Sequence, residues 1–311
     1  MKVRAARLGQ HAEPLRTEVV ELPEPAAGEV VVELSYAGVN PLDTYVIAGQ
    51  AGAAPLPHTP GVEGSGTCEG RRVVVYGHGV GLARPGTWAE RAVVPGEAVV
   101  DIPDGIELLQ ASAVAVAGTT AIRVTEDLAE VTADDTVLVL GAAGGVGTAV
   151  TSLAASRGAR VLGQTSSAGK AATIEGLGAK AIIAPSPASL YDQVKDEEVT
   201  VVIDALGDGY TGAALTALQP RGRLVSYGTS AGPTGDVDLR AVYRKGLTIR
   251  GYGGVIEPPQ RIRESLGRAL AALGSGAMRI PVTQVLPLEQ ANTAVTMVSA
   301  HQVAGKLALA L

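Results

Sequence analysis

Four glycines fall within seven positions in Gly141-Ala142-Ala143-Gly144-Gly145-Val146-Gly147, directly after the aliphatic run Val137-Leu138-Val139-Leu140. Glycines so placed let backbone N–H groups approach a phosphate with no Cβ in the way. A helix opening at the turn would point its positive N-terminal end at the anion. Residues 149–156 are small and helix-compatible, and residues 159–163 read as a second strand. Together they complete a β-α-β unit of about 30 residues. The chemistry on offer is to hold the pyrophosphate of a dinucleotide over Ala143, Gly144, Gly145, Val146 and Gly147. The bland alternative is a glycine-rich strand–helix turn with no ligand.

Cofactor choice is set where the second strand ends. An acid there would accept hydrogen bonds from a ribose 2′-hydroxyl and repel a 2′-phosphate. This sequence has Gly163-Gln164-Thr165-Ser166-Ser167-Ala168-Gly169-Lys170: no acid, three hydroxyls and then a cation. Thr165, Ser166, Ser167 and Lys170 suit a phosphate, so the expected cofactor is NADP (NADPH) rather than NAD. The same residues could also cap a helix starting near Ala168, which fits either cofactor.

The elements that must position these residues follow from the pattern. The first 110 or so residues are rich in short strands and turn signals, which predicts a compact, mostly antiparallel β domain. Residues 108–117 and 119–128 read as helices separated by Gly118. From Thr136 strand and helix alternate, with strands expected at 137–140, 160–163, 181–184, 199–203, 223–227 and 247–252, and the clearest helices at 170–177 and 211–218. Six strands in this alternation predict an α/β, doubly wound parallel sheet. An amphipathic helix places Ile262, Leu266, Ala269, Leu270 and Leu273 on one face, ending at Gly274 and Gly276. A helix at 288–299 and a strand at 306–311 follow, and that strand needs an existing sheet to join, most simply the N-terminal β domain.

A chain of 311 residues with 46% hydrophobic and 18% charged residues can build two cores, and with no Phe these must come from Val, Leu, Ile and Ala. The net charge of −6, with basic residues scattered, argues against nucleic acid or an anionic membrane as partner. No apolar run reaches the roughly 18 residues of a membrane span, and no signal-peptide core follows Met1, so a cytoplasmic location is expected. One cysteine, Cys68, excludes an internal disulfide.

At this point the chain resembles the zinc-independent quinone oxidoreductases (zeta-crystallin-like) of the medium-chain dehydrogenase/reductase superfamily. The shared stretches are Gly38-Val39-Asn40-Pro41-Leu42-Asp43-Thr44-Tyr45, Thr59-Pro60-Gly61, Ala117-Gly118-Thr119-Thr120-Ala121, Ala142-Ala143-Gly144-Gly145-Val146-Gly147, Gly222-Arg223-Leu224-Val225-Ser226-Tyr227-Gly228 and Gly305-Lys306-Leu307. The resemblance implies a Rossmann-type dinucleotide-binding domain over 114–253 and a discontinuous GroES-like catalytic domain over 1–113 and 254–311. It also implies hydride transfer from NADPH with the nicotinamide in a cleft between them, and a homodimer paired through the strand at 247–252. Asn40 and Tyr45 would stand beside the nicotinamide: Asn40 to hydrogen-bond a ribose or a substrate carbonyl, and Tyr45 to donate to a developing oxyanion or to pack on the ring. Thr120, Gly228, Thr229 and Ser230 would lie near the nicotinamide, Leu206 near the adenine side, and Lys306 would also serve the cofactor. The loops 47–57 and 252–259 would line the acceptor.

Departures carry information. Zinc-dependent relatives have a His in a Gly-His-Glu triplet, which here aligns with Gly61-Val62-Glu63, and valine cannot ligate a metal. His11, His58, His78 and His301 show no ligand spacing, so no metal is expected. Gln50, Ala51 and Gly52 stand where relatives often carry a second tyrosine, and Pro185 where they often have one packing on the 2′-phosphate. The stretch from Thr67 to Val73 is shorter than usual. Gly228-Thr229-Ser230-Ala231-Gly232 matches a nucleophile-elbow pattern, but Pro233, Gly235 and Asp236 replace the helix that elbow needs. Expected activities are reduction of a quinone or other activated carbonyl, with an enone or enoyl substrate as the alternative. A non-catalytic NADPH-binding redox sensor is the third reading.

Overall fold

The computed structural model describes residues 1–52 and 55–311. The expected acceptor loop at 47–57 therefore contains two positions, 53 and 54, outside the described residues. The chain divides into two compact units: Met1–Gly118 with Pro258–Gly274 and Ile280–Leu311, and Thr119–Glu257 with Ser275–Arg279. Against the expected limits of 113 and 254, the division falls a few residues later at both points, and a short return of chain at 275–279 goes with the second unit.

In the first unit, β1 (Lys2–Arg7) and β2 (Arg16–Glu21) pair antiparallel. The main sheet uses β3 (Glu29–Val39), β4 (Glu63–Cys68), β5 (Arg71–Tyr76), β6 (Arg91–Pro95) and β7 (Val99–Asp101). Strand β3 is long enough to pair β6 through its first half and β4 through its second. The shortened stretch after Thr67 is a two-residue turn between Cys68 and Arg71, with Glu69 and Gly70 both at positive φ, a geometry that matches strand twist. Helix α1 (Pro41–Ile47) leaves the end of β3, and α2 (Leu108–Ala111) follows β7.

Helix α3 (Val114–Ile122) runs straight through Gly118 and continues as a π-helical turn, Arg123–Leu128. The expected break at Gly118 does not occur: the glycine is buried inside an unbroken helix.

The second unit is a six-stranded parallel sheet: β8 (Thr136–Val139), β9 (Arg160–Thr165), β10 (Lys180–Ile183), β11 (Val201–Asp204), β12 (Arg223–Ser226) and β13 (Thr248–Gly251), in the order β10-β9-β8-β11-β12-β13. Every neighbouring pair is parallel. This is the doubly wound order in which the first strand of the unit stands beside the switch point. Between the strands lie α4 (Gly145–Ser156), α5 (Ala171–Glu175), α6 (Pro187–Val194), α7 (Asp208–Ala217) and α8 (Leu239–Lys245). The central strands β8 and β11 are apolar because both faces are covered. Leu138, Leu162, Val202 and Leu224 meet Leu190, Leu215 and Leu218 in one core.

The chain then returns to the first unit as α9 (Pro259–Gly274), β14 (Val282–Pro287), α10 (Ala291–Ser299) and β15 (Lys306–Ala310). Strand β15 inserts between β14 and β3, antiparallel to β3 with Leu307 opposite Val39. The terminal strand thus finds the sheet its sequence required.

Within the glycine turn the glycines serve different ends. Gly141 takes φ +71°, and a Cβ on Gly147 would sit well inside contact distance of the Gly141 carbonyl oxygen and 2.8 Å from the Ala142 backbone. A Cβ on Gly144 would meet nothing nearer than 3.4 Å. Gly147→Ala is therefore expected to cost about 1–3 kcal/mol as an overpacked contact against rigid backbone, whereas Gly144→Ala stays within about 0.5 kcal/mol. Thermal midpoints of the two variants check this; equal midpoints would mean the turn is not packed this way.

Candidate functional site

In the second unit the predicted cofactor residues gather along the C-terminal edge of the parallel sheet, where open α/β sheets take ligands. Helix α4 is N-capped by Gly144, which offers no side chain to the N–H groups of its first turn. Gln164 fixes the turn from the neighbouring strand: its side-chain oxygen accepts from Gly141 N (3.0 Å), its amide donates to Ala184 O (2.8 Å), and its carbonyl accepts from Ala142 N (2.9 Å). Sequence reasoning passed over Gln164, registering only that it is not an acid; a long amide at the end of a buried strand was the available signal.

Past Gln164, Thr165 is buried, and its hydroxyl accepts from Ser167 N at 3.3 Å. Ser166 and Ser167 are exposed, and Lys170 is half-buried at the end of a 3-10 turn, Ala168–Lys170, where burial lowers its pKa. Leu206 N donates to Asp204 Oδ1 (2.8 Å), and Asp204 also accepts from Gly207 N and the Thr211 hydroxyl. Gly228, Thr229 and Ser230 form the loop after β12, and Ser230 N and Oγ both donate to Ala205 O. No helix follows Ser230 before Leu239, so it has no nucleophile-elbow geometry. Thr120 is buried. Burial pushes the Tyr252 phenol up to about 12; Glu257 and Asp127 add to the rise, while Arg123 and Thr120 oppose it.

In the first unit Asn40, Asp43, Glu63 and Lys306 form one buried network. Lys306 Nζ donates to Glu63 Oε1 and to Asn40 Oδ1, both at 2.5 Å, and Asn40 Nδ2 donates to Glu63 Oε1 at 2.9 Å. Glu63 Oε2 accepts from Val116 N at 2.8 Å. Asn40 and Lys306, expected as a catalytic amide and a cofactor cation, are here partners of each other and of Glu63.

Glu63 was noted in the sequence only as the neighbour of Val62. Its signal was an acid in the otherwise small, uncharged strand Glu63-Gly64-Ser65-Gly66-Thr67-Cys68. Gly38 makes room for it, because a Cβ there would fall inside contact distance of Glu63 Oε1 and 2.6 Å from Ser112 O.

Asp43 accepts from Asn40 N (2.8 Å) and Val62 N (3.0 Å), so it caps α1 and pins the segment where zinc relatives carry a histidine. Burial pushes its carboxyl up to about 7; Glu63 adds to the rise, while the two N–H groups and Lys306 oppose it. Tyr45 lies on α1 with 42% of its surface exposed. Among the described residues no cluster of three His, Cys, Asp or Glu is placed to hold a metal, and no helix is long and apolar enough to cross a membrane. His58 is buried with Nε2 3.1 Å from Gly81 O, and burial lowers its pKa.

A buried charge stripped of its partner is costly, so Lys306→Met is expected to destabilise the first unit by about 3–5 kcal/mol. Adding Glu63→Gln removes the stranded charge, and the double variant should fall short of the sum of the single effects by about 1–3 kcal/mol. Urea unfolding followed by Trp88 fluorescence reads this unit alone, because the single tryptophan is fully buried within it and bonded to Gly38 O. Strict additivity would contradict the network.

Residues 26–104 match the alcohol dehydrogenase GroES-like domain family, and residues 145–271 match the zinc-binding dehydrogenase family. A quinone oxidoreductase of Pseudomonas aeruginosa is 30% identical over 299 residues, covering 92% of each chain. An acrylyl-CoA reductase of Ruegeria pomeroyi is 30% identical over 276 residues, covering 82% of this chain and 83% of that one. The crystal structure of Escherichia coli quinone oxidoreductase complexed with NADPH aligns with a TM-score of 0.85 at 25% identity, covering 100% of this chain and 99% of that one. Two family models matched in chain order, together with a relative 30% identical over 92% of both chains, place this chain in the quinone oxidoreductase family of the medium-chain dehydrogenase/reductase superfamily.

Proposed function

We propose that this chain is an NADPH-dependent reductase that delivers hydride, without a catalytic metal, to a quinone or another activated carbonyl acceptor. The observation that carries the reading is the glycine turn. Internal packing requires Gly141 and Gly147, but nothing inside the unit requires Gly144 to lack a side chain. Gly144 is the N-cap of α4 and offers its first turn no capping side chain, which leaves those N–H groups to a pyrophosphate. Thr165, Ser166, Ser167 and Lys170 at the end of β9 would receive the 2′-phosphate, where no acid stands to repel it.

When bound, NADPH supplies the hydride. The chain's own contribution is to hold and orient. Asn40, fixed by Lys306 and Glu63, retains one amide hydrogen for a ribose or a carbonyl. Tyr45 on α1 offers a ring face. Thr120, Leu206, Gly228, Thr229 and Ser230 border the remainder of the cofactor. Val62, buried where zinc-dependent relatives carry a ligand, supports metal-free chemistry.

Likeness to an acrylyl-CoA reductase favours a second reading, reduction of a carbon–carbon double bond conjugated to a carbonyl. A homodimer is part of the proposal: edge strand β13 is exposed along its whole length, with Ile249 on it and Leu239 and Tyr243 exposed on α8.

The test is turnover of NADPH with a panel of para-benzoquinones and cyclic enones. Quinone reduction at a kcat/KM at least tenfold above that for enones is expected. Turnover of enones alone would replace the quinone reading with the second one, and NADPH binding without turnover of either class would contradict both.

A further inference from the structure

Strand β9 stands between β10 and β8, and one of its side chains reaches toward both neighbours. Gln164 is buried near the end of that strand. On the β8 side its Oε1 accepts from Gly141 N at 3.0 Å, and on the β10 side its Nε2 donates to Ala184 O at 2.8 Å. A backbone N–H only donates and a carbonyl only accepts, so these partners fix the amide in one orientation. A carboxylate could make the first bond and not the second, and a lysine only the second. The Tyr210 hydroxyl of α7 meets the same Ala184 carbonyl at 3.4 Å. The loops after β8 and β10 and the helix after β11 are thus joined around one amide.

The bond to Gly141 matters because of what Gly141 begins. Gly141 takes φ +71°, and its carbonyl accepts from Gly144 N at 3.0 Å, closing the turn that brings Gly144 to the N-cap of α4. Glycine adopts either sign of φ at little cost, so a turn that starts on one has to be held from outside. Leu140 N donates to Ile203 O and Ala142 N to Gln164 O, both at 2.9 Å. Between them, Gly141 N is answered by the Gln164 side chain. The residues expected at the 2′-phosphate are held by other bonds. Ala184 N donates to Thr165 O at 2.9 Å, Ser167 N to the Thr165 hydroxyl at 3.3 Å, and Lys170 N to Ser167 O at 3.1 Å. None of these uses the Gln164 side chain.

We infer that Gln164 is a positioning residue for the dinucleotide, acting through Gly141 on the pyrophosphate turn and not on the 2′-phosphate loop that follows it. The inference deepens the reading of the glycine turn as the pyrophosphate site and rests on it. With the amide in place the turn is ordered before the cofactor arrives. Without it the ordering cost falls on binding, and affinity drops. The drop is shared by every ligand that carries the pyrophosphate, whatever its ribose substituent. A residue that reads the 2′-phosphate has the opposite signature.

The experiment titrates the full chain by calorimetry with NADP⁺, NAD⁺ and adenosine 2′-monophosphate, which has the 2′-phosphate but no pyrophosphate. Gln164→Met keeps the side-chain length and removes both bonds. NADP⁺ and NAD⁺ are expected to weaken by one common factor of about ten, the worth of one net hydrogen bond, with adenosine 2′-monophosphate within about twofold of wild type. Gln164→Glu supplies a titratable replacement. A protonated carboxyl can accept from Gly141 N and donate to Ala184 O as the amide does, whereas a carboxylate has no proton to donate. Burial raises the pKa of such a carboxyl. The NADP⁺ affinity of this variant, taken as a ratio to wild type at each pH, should therefore match wild type at low pH and fall about tenfold once the carboxyl ionises. That series decides the matter if Gln164→Met does not fold. Dinucleotide affinities within twofold of wild type in Gln164→Met, an equal loss for adenosine 2′-monophosphate, or a Gln164→Glu ratio that does not change with pH overturns the inference. Wild-type protein that binds neither dinucleotide overturns the reading of the turn itself, a separate result.

Discussion

The Lys306–Glu63 ion pair is the constraint on which the first unit depends. A lysine and a glutamate that are both buried tolerate desolvation only when each charge is answered, and here every answer comes from a different segment of chain. Lys306 opens β15, Glu63 opens β4, Asn40 stands between β3 and α1, and Val116 belongs to α3. One carboxylate thus ties segments more than 240 positions apart in sequence. Asp43 repeats the device a turn later, joining the start of α1 to the backbone of Val62. The unit's signature residues Asn40, Asp43 and Lys306 are therefore structural partners first, and any contact they make with a cofactor is made from a fixed position.

The second unit solves a different problem. Its polar groups sit at one edge of an apolar parallel sheet, and the loops there are held by side chains that reach back into backbone: Gln164 to Gly141 and Ala184, Asp204 to Leu206 and Gly207, Ser230 to Ala205. Such bonds hold the loops in shape with no ligand contributing, which lowers the ordering cost of binding. The glycine turn belongs to the same scheme: Gly147 lets α4 lie close against Gly141 and Ala142, and Gly144 leaves the outer side of the turn open.

Much of this was legible because local pattern and tertiary role coincide. Alternation of aliphatic runs with helical stretches predicted the parallel sheet, and the six strands appear within two residues of their expected ends at every boundary. The return of β15 to β3 was legible because a terminal strand must pair somewhere. Gly118 misled because a glycine lowers helix propensity by only about 1 kcal/mol, which the rest of an apolar, buried helix overrides. Glu63 and Gln164 went unrecognised as polar anchors because nothing near them in sequence names their partners. Glu63 finds Lys306 and Gln164 finds Ala184 only once the sheets are assembled.

The claim that joins these parts is that the end of β9 reads a 2′-phosphate, which makes the chain an NADPH enzyme. Dissociation constants for NADPH and NADH, measured by fluorescence titration on the wild type and on Lys170→Ala, test it most directly. The account predicts that the wild type binds NADPH at least tenfold more tightly, and that Lys170→Ala removes most of that preference while leaving NADH affinity almost unchanged. Equal affinities in the wild type, or equal losses for both cofactors in the variant, would contradict it.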